Sequence, residues 1–268
     1  MSAIDTLFQQ LRAAGRKAFM PFVTAGDPDL AFTADLLRLL VARGSTLCEV
    51  GIPYSDPIAD GPVIQASYTR ALEQGVRVDE VFQMLRQVTP ELAAPVITMV
   101  SYAIVYRRGL ERFVAQAKES GVAGAIVPDL PVEEAGPLAA ICRREDFSLV
   151  QLVTPTTPRD RAVRIAEQST GFLYYVSVTG ITGERAELPA ELVENVAWLR
   201  ARTSLPICIG FGVSRPEHVR MLAPVADGVI VGSAIVRRVA EAACRPRQEV
   251  LSEIDHYVAG LLAALNPA

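Results

Sequence analysis

The sequence predicts a single parallel (β/α)8 barrel, on three observations. Short β-rich apolar runs alternate with amphipathic segments of helical length, eight such units fit the chain, and no break divides them. Parallel neighbours cannot be joined by a tight turn, so each strand needs a crossover, and a helix is the usual one. At 268 residues the chain is long enough for two average domains, yet α/β barrels of this size are routinely one unit. No linker, charge block or low-complexity tract intervenes, so residues 1–268 read as one domain.

The predicted strands are Ala18 to Val23, Thr46 to Ile52, Val96 to Ser101, Ala123 to Val127, Ser148 to Val153, Phe172 to Val178, Pro206 to Gly210 and Gly228 to Val231. Between them Leu, Val and Ala recur at three- and four-residue spacing over Ala31 to Ala42, Glu111 to Glu119, Glu133 to Arg144, Arg159 to Gln168, Glu191 to Arg202 and Pro216 to Leu222. An extra amphipathic helix, Ile4 to Ala14, precedes the first strand and could cap the barrel floor; Val78 to Gln87 reads as an additional helix after the second unit.

Composition removes several classes of function. A formal net charge of −4 and the absence of any basic tract argue against a nucleic-acid partner. No apolar stretch approaches the roughly twenty residues that span a bilayer, and Asp5, Gln9, Gln10 and Arg12 interrupt the early apolar positions, so no leader is read. The expectation is a soluble cytoplasmic protein without a membrane partner. Cys48, Cys142, Cys208 and Cys244 are widely spaced and form no C-x-x-C pair, which favours buried reduced thiols.

In a barrel of this kind function collects where the strands end and the βα loops converge. The second strand, Thr46-Leu47-Cys48-Glu49-Val50-Gly51-Ile52, carries a carboxylate within it. Period-two alternation puts Leu47, Glu49 and Gly51 on one face, pointing either into the barrel or onto the helix layer. Both surroundings are poorly hydrated, and a desolvated carboxyl has its pKa raised toward the range where it can both give and take a proton. A structural ion pair would also account for such a glutamate. Asp60 follows on a loop stiffened by three prolines and Gly61, able to hold a carboxylate over the barrel mouth or to serve only as a turn former.

Three late loops begin with small residues: Thr179-Gly180-Ile181-Thr182-Gly183, Gly210-Phe211-Gly212-Val213-Ser214 and Gly232-Ser233-Ala234. Unobstructed backbone N–H groups in these places suit one small phosphate, the more so if Gly232-Ser233 opens a short helix. What the chain lacks narrows the chemistry further. Its two lysines, Lys17 and Lys118, stand away from the C-terminal strand ends, which disfavours an imine-forming aldolase. His218 and His256 fall on predicted helices away from the loops, and no His, Cys and carboxylate spacing suggests a metal. Proton transfer by carboxylates remains.

Glu49-Val50-Gly51-Ile52-Pro53-Tyr54-Ser55-Asp56-Pro57-Ile58-Ala59-Asp60-Gly61-Pro62 resembles the signature of the tryptophan synthase alpha subunit family. Phe22 to Pro28, Pro128 to Glu134, Tyr174 to Ser177, Thr179 to Gly183, Gly210 to Ser214 and Gly232 to Val236 match it too, in order, so the resemblance spans essentially the whole chain. It implies a TIM-barrel carbon–carbon lyase that cleaves indole-3-glycerol phosphate to indole and glyceraldehyde 3-phosphate. By the same resemblance Glu49 shuttles the protons and Asp60 accepts the hydrogen bond from the indole N–H. Gly183, Gly212, Gly232 and Ser233 would hold the phosphate, and Phe22, Ile64, Tyr102, Tyr174 and Phe211 would line the pocket. Thr182 would sit on a lid over Thr179 to Leu188.

The family further implies no metal and no cofactor in this chain, and a partner, a PLP-dependent beta subunit that receives the indole in an alpha2beta2 tetramer. The expected docking rim includes Pro53 and Asp56. Two positions depart from the family pattern: Tyr54 stands where Phe is common, and Ile104 where Asn is common, the second bearing on the partner contact rather than on the chemistry. Another phosphate-binding barrel enzyme and a non-catalytic regulatory subunit are the rival readings; release of indole separates the first, and a Glu49→Gln variant the second.

Overall fold

The computed structural model describes residues 1–58, 60–177, 190–210 and 212–267. Among them nine strands form one sheet: β1 (Ala18–Thr24), β2 (Cys48–Gly51), β3 (Val96–Met99), β4 (Val122–Ile126), β5 (Ser148–Val150), β6 (Leu152–Val153), β7 (Leu173–Val176), β8 (Ile207–Gly210) and β9 (Gly228–Val231). Their order is β5-β4-β3-β2-β1-β9-β8-β7-β6, and every pairing is parallel. Only Gln151 separates β5 from β6, so the two ends of that order meet and the sheet wraps into a barrel. Across the break the Tyr174 N–H donates to the Gln151 carbonyl at 3.2 Å. The eight predicted strands are therefore eight staves, the fifth interrupted in its ladder.

The apolar runs overshoot the ladders. Leu47 and Ile52 flank β2 and are as buried as the strand, because burial at a stave end continues after hydrogen bonding stops. The same holds for Phe172 before β7, whereas the predicted end of that strand at Val178 lies outside the described residues.

Around the sheet stand α1 (Ala3–Ala13), α2 (Leu30–Arg43), α3 (Pro62–Glu73), α4 (Val78–Val88), α5 (Tyr102–Arg108), α6 (Leu110–Glu119), α7 (Gly136–Arg144), α8 (Arg159–Gln168), α9 (Ala190–Arg200), α10 (Pro216–Leu222), α11 (Ser233–Val239) and α12 (Arg247–Leu265). Four of these, α3, α5, α11 and α12, were not singled out by sequence periodicity. The helix expected from Glu133 starts instead at Gly136, with Pro137 in the first turn, where its missing N–H is harmless. Among the described residues no helix is long and apolar enough to cross a membrane.

Alternation along each stave sorts the core into two layers. Met20, Phe22, Leu47, Ile97 and Ile126 pack inside the barrel, while Phe19, Val23, Cys48 and Val50 face the helices. Helix α1 closes the floor as expected: Ile4, Phe8 and Leu11 join the inner layer, and the Phe8 and Phe172 rings lie 5.8 Å apart. Its entry is fixed by a capping box between Ser2 and Asp5. All four cysteines are free; Cys244 is exposed, against the expectation of burial, because it follows a short helical turn on the outside of the barrel.

Helix α3, which carries the residues after Asp60, is fixed to the end of β1 by two polar contacts. Thr24 Oγ1 and Ser67 Oγ are 2.6 Å apart, and Arg70 grips Asp27 with both arms, at 2.9 and 2.7 Å. The Asp27 side chain is only 1% exposed while Arg70 keeps a third of its surface in water. Removing the guanidinium would leave a buried, uncompensated carboxylate. An Arg70→Met variant is expected to unfold with roughly 2–4 kcal/mol less stability, the lower part of the buried-pair range because water reaches the arginine. Urea titration checks this; a loss under about 0.5 kcal/mol, the scatter of ordinary surface changes, would mean Asp27 is held by other groups.

Candidate active site

The open question of which way Glu49 points is settled by its company. Glu49 lies between Leu47, an inner-layer residue, and Gly51, whose missing side chain makes room for Phe22 and Tyr68: a Cβ there would fall 2.5 Å from Phe22 Cζ and 2.7 Å from Tyr68 Oη. Only glycine admits that approach. In register, Glu49 stands beside Phe22 of β1 and Ile97 of β3, so apolar walls flank it across the sheet. It is 0% exposed, and neither carboxylate oxygen has a hydrogen-bond partner among the described residues. Burial alone drives its pKa well above the ordinary 4.5, which favours the protonated form of the group. An ion pair, the structural alternative, is absent among the described residues.

Asp60 stands at the mouth, on the short loop between β2 and α3. Gln65, one turn into α3, donates from Nε2 to the carbonyls of Pro57 at 3.1 Å and Asp60 at 2.8 Å, clamping the loop onto the helix that follows. Gly61 caps that helix and Pro62 opens it, so the chain leaves Asp60 in a fixed direction. Burial pushes the Asp60 carboxyl from 3.8 up to about 6; the Asp129 carboxylate adds to the rise, and a hydrogen bond from Tyr54 works against it. That bond, Tyr54 Oη to Asp60 Oδ2 at 3.3 Å, exists because this chain has Tyr where the family pattern leads one to expect Phe. Asp129 is itself spoken for: Ser101 Oγ and the Tyr102 N–H both donate to it at 2.7 Å.

Phe22, Ile64 and Tyr174 are brought together in the inner layer, at 3%, 7% and 9% exposure, on three different elements, β1, α3 and β7. Tyr174 leans over Gly210, and an added Cβ there would collide with its hydroxyl. Tyr102 is not brought into this group: it opens α5, packs against the outer layer, and meets the Tyr106 ring in a tilted contact at 6.0 Å. Gly232 caps α11 beside Phe22, whose Cβ would be 3.5 Å from a side chain placed there, and Ser233 is the first residue of the helix. At that helix start the Ile235 and Val236 amides both donate to the Gly232 carbonyl, at 2.9 and 3.1 Å. Gly212 takes a φ of +80°, a conformation in which glycine is at ease. Thr182, Gly183 and Phe211 lie outside the described residues, as does the lid expected over Thr179 to Leu188. On the rim, Pro53 is buried and Asp56 exposed, next to Ile58, which is 86% exposed.

One expectation needs correction. His218 does fall on a helix, α10, but it is not remote from the loops: its Nδ1 accepts the Ser214 N–H at 3.3 Å. His218 is the third residue of α10 and reaches back over the helix start, the position from which capping-box side chains reach back. Burial lowers its pKa below the ordinary 6.5, more than the Gly212 backbone raises it, which keeps the ring neutral and Nδ1 an acceptor. Tyr257 of α12 holds the same loop by donating to the Ser214 carbonyl at 2.9 Å. The loop after β8 is thus fastened from two helices. Spacing alone conceals this, since a histidine at a helix start reads as an ordinary surface residue.

Comparison with known proteins places this geometry. The family model described as "Tryptophan synthase alpha chain" matches residues 8–263. A tryptophan synthase alpha chain of Rhodopirellula baltica is 60% identical over 245 residues, 90% of this chain and 88% of the relative; one from Rippkaea orientalis is 46% identical over 267 residues, 99% of each. The crystal structure of a tryptophan synthase alpha chain from Legionella pneumophila superposes with a TM-score of 0.88 at 34% identity, covering 99% of this chain and 97% of that one. A chain of Mycobacterium tuberculosis tryptophan synthase superposes with a TM-score of 0.89 at 30% identity, covering 100% and 99%. This chain belongs to the tryptophan synthase alpha chain family.

Proposed function

We propose that the chain cleaves indole-3-glycerol phosphate, by a retro-aldol reaction, into indole and glyceraldehyde 3-phosphate. The observation that carries this reading is the buried, unpaired Glu49, its pKa raised by burial, on the strand that leads to the mouth over which Asp60 is held. Cleavage needs a proton on indole C3, loss of the proton from the adjacent side-chain hydroxyl, and stabilisation of positive charge at the indole nitrogen. Neutral Glu49 delivers the first proton, and the carboxylate it becomes takes the second, so it ends the cycle as it began. Asp60, ionised, accepts the hydrogen bond from the indole N–H and offsets its charge. Electrons of the broken carbon–carbon bond restore the indole ring.

Phe22, Ile64 and Tyr174 suit the flat indole and its glycerol arm; the family pattern assigns Tyr102 and Phe211 to the same substrate. The start of α11 at Gly232-Ser233 and the fastened Gly212 loop suit the phosphate; the family pattern assigns Gly183 to the phosphate and Thr182 to a hydrogen bond with Asp60. The reading extends to the assembly: residues 1–268 act as one catalytic domain in the cytoplasm, bound through a rim containing Pro53 and Asp56 to a PLP-dependent beta subunit in an alpha2beta2 tetramer. The chain itself uses no cofactor. Purified chain supplied with indole-3-glycerol phosphate, with and without a beta subunit, tests the reading. Indole is the expected product, faster with the partner; failure to release it in either case would sink the lyase assignment.

A further inference from the structure

Tyr68 of α3 is fully buried, 0% exposed, yet its hydroxyl has no hydrogen-bond partner among the described residues. Buried tyrosine hydroxyls ordinarily find one, and an unpaired one calls for a reason. The preceding residue, Ser67, is satisfied twice, by Thr24 at 2.6 Å and the Ile64 carbonyl at 2.7 Å, so the surroundings of α3 do not lack acceptors in general. The Tyr68 hydroxyl instead overhangs Gly51, two residues beyond Glu49 on the same face of β2, and its ring packs on Tyr54 at 5.4 Å. It therefore stands between the groups that hold Asp60 and the strand that carries Glu49. Burial, with the fields of Asp60, Tyr54 and Glu49, raises its pKa well above 10.0, so the hydroxyl keeps its proton and can only lend it.

Neither Glu49 oxygen receives that proton, because both are themselves unpaired. We infer that the Tyr68 hydroxyl is a hydrogen-bond donor to substrate, aimed at the side-chain oxygen on the carbon attached to indole C3, an inference that rests on the lyase reading above. As the O–H proton passes to Glu49, the C–O bond becomes C=O, the bond to C3 breaks, and its electron pair returns to the indole. Tyr68 shares its proton with the oxygen on which charge develops and loses nothing. The ring could be phenylalanine for packing purposes; the hydroxyl is the part that packing does not explain.

Tyr68→Phe removes that hydroxyl alone. With indole-3-glycerol phosphate as substrate and the beta subunit present, kcat is expected to fall roughly 10- to 100-fold, the worth of one hydrogen bond to developing charge. KM should stay within about twofold, since the bond strengthens only as the reaction proceeds. Thermal unfolding in the same preparation should show an unchanged or higher Tm, because a buried unpaired hydroxyl is a cost to the fold. An unchanged kcat, or a loss of kcat that comes with a lower Tm, overturns the inference. Should the unsubstituted chain release no indole, the lyase reading fails instead, so the two failures are told apart.

Discussion

Glu49→Gln is expected to abolish indole release while leaving the fold intact or firmer. Glutamine fills the same space beside Phe22 and Ile97 but can neither protonate C3 nor take the hydroxyl proton. General acid–base groups are worth roughly 10²- to 10⁴-fold, and this one serves twice in a cycle, so a loss near the upper limit is expected. Stability should move the other way. In the unfolded chain the carboxyl ionises near its ordinary 4.5, whereas in the folded chain burial keeps it protonated far above that. Between those two values the folded state holds a proton that the unfolded state has released. Stability from this group is therefore complete below about 4.5 and drains away as pH rises toward the folded value. The glutamine variant has no such loss, so its margin over the parent should widen from mildly acidic to neutral pH. Urea titrations at several pH values read this directly. A variant that turns over at more than a tenth of the parental rate would remove Glu49 from the chemistry.

The same residue shows how much was legible beforehand. A carboxylate in an apolar strand at an even spacing from Leu47 and Gly51 announces itself, because alternation leaves it nowhere wet to point. Which of the two dry faces it takes is not in the spacing; it follows from the inner packing of Leu47 and from the collision any side chain at Gly51 would have with Phe22 and Tyr68. The staves were readable for the same reason, and their ends were not, since burial outlasts the ladder at Leu47 and Ile52. Tyr68 was not readable as a site residue at all. It lies four residues after the buried Ile64 on one helix face, the spacing of a core position, and its missing partner is a fact of three-dimensional packing. His218 was hidden differently: its role depends on where the chain turns before α10, bringing the Ser214 N–H to Nδ1 at the ring edge. Sequence periodicity locates a side chain on its own element, whereas these two act on something contributed by another element or by a turn.

Asp60→Asn is expected to cost roughly 10²- to 10³-fold in kcat, the worth of a pre-placed charge at a developing one, with little change in KM. Asparagine keeps the shape and can still accept from the indole N–H, so what it removes is the negative charge. The more telling readout is the pH profile. Burial and Asp129 push the Asp60 carboxyl up to about 6, against the downward pull of the Tyr54 hydrogen bond, so between pH 5 and 7 the group passes from mostly neutral to mostly ionised. kcat/KM of the parent should rise through about 6 as Asp60 ionises and fall at higher pH as Glu49 loses the proton it must deliver. In the asparagine variant the low-pH rise should vanish while the high-pH fall remains. Pairing a neutral acid deep in the barrel with an anion at its mouth requires two carboxyl groups of unlike surroundings, and the β2–α3 segment supplies both within twelve positions, Glu49 walled in by Phe22 and Ile97 and Asp60 clamped at the edge by Gln65. Persistence of the low-pH rise in Asp60→Asn would assign that titration to another group and return Asp60 to the role of a turn residue.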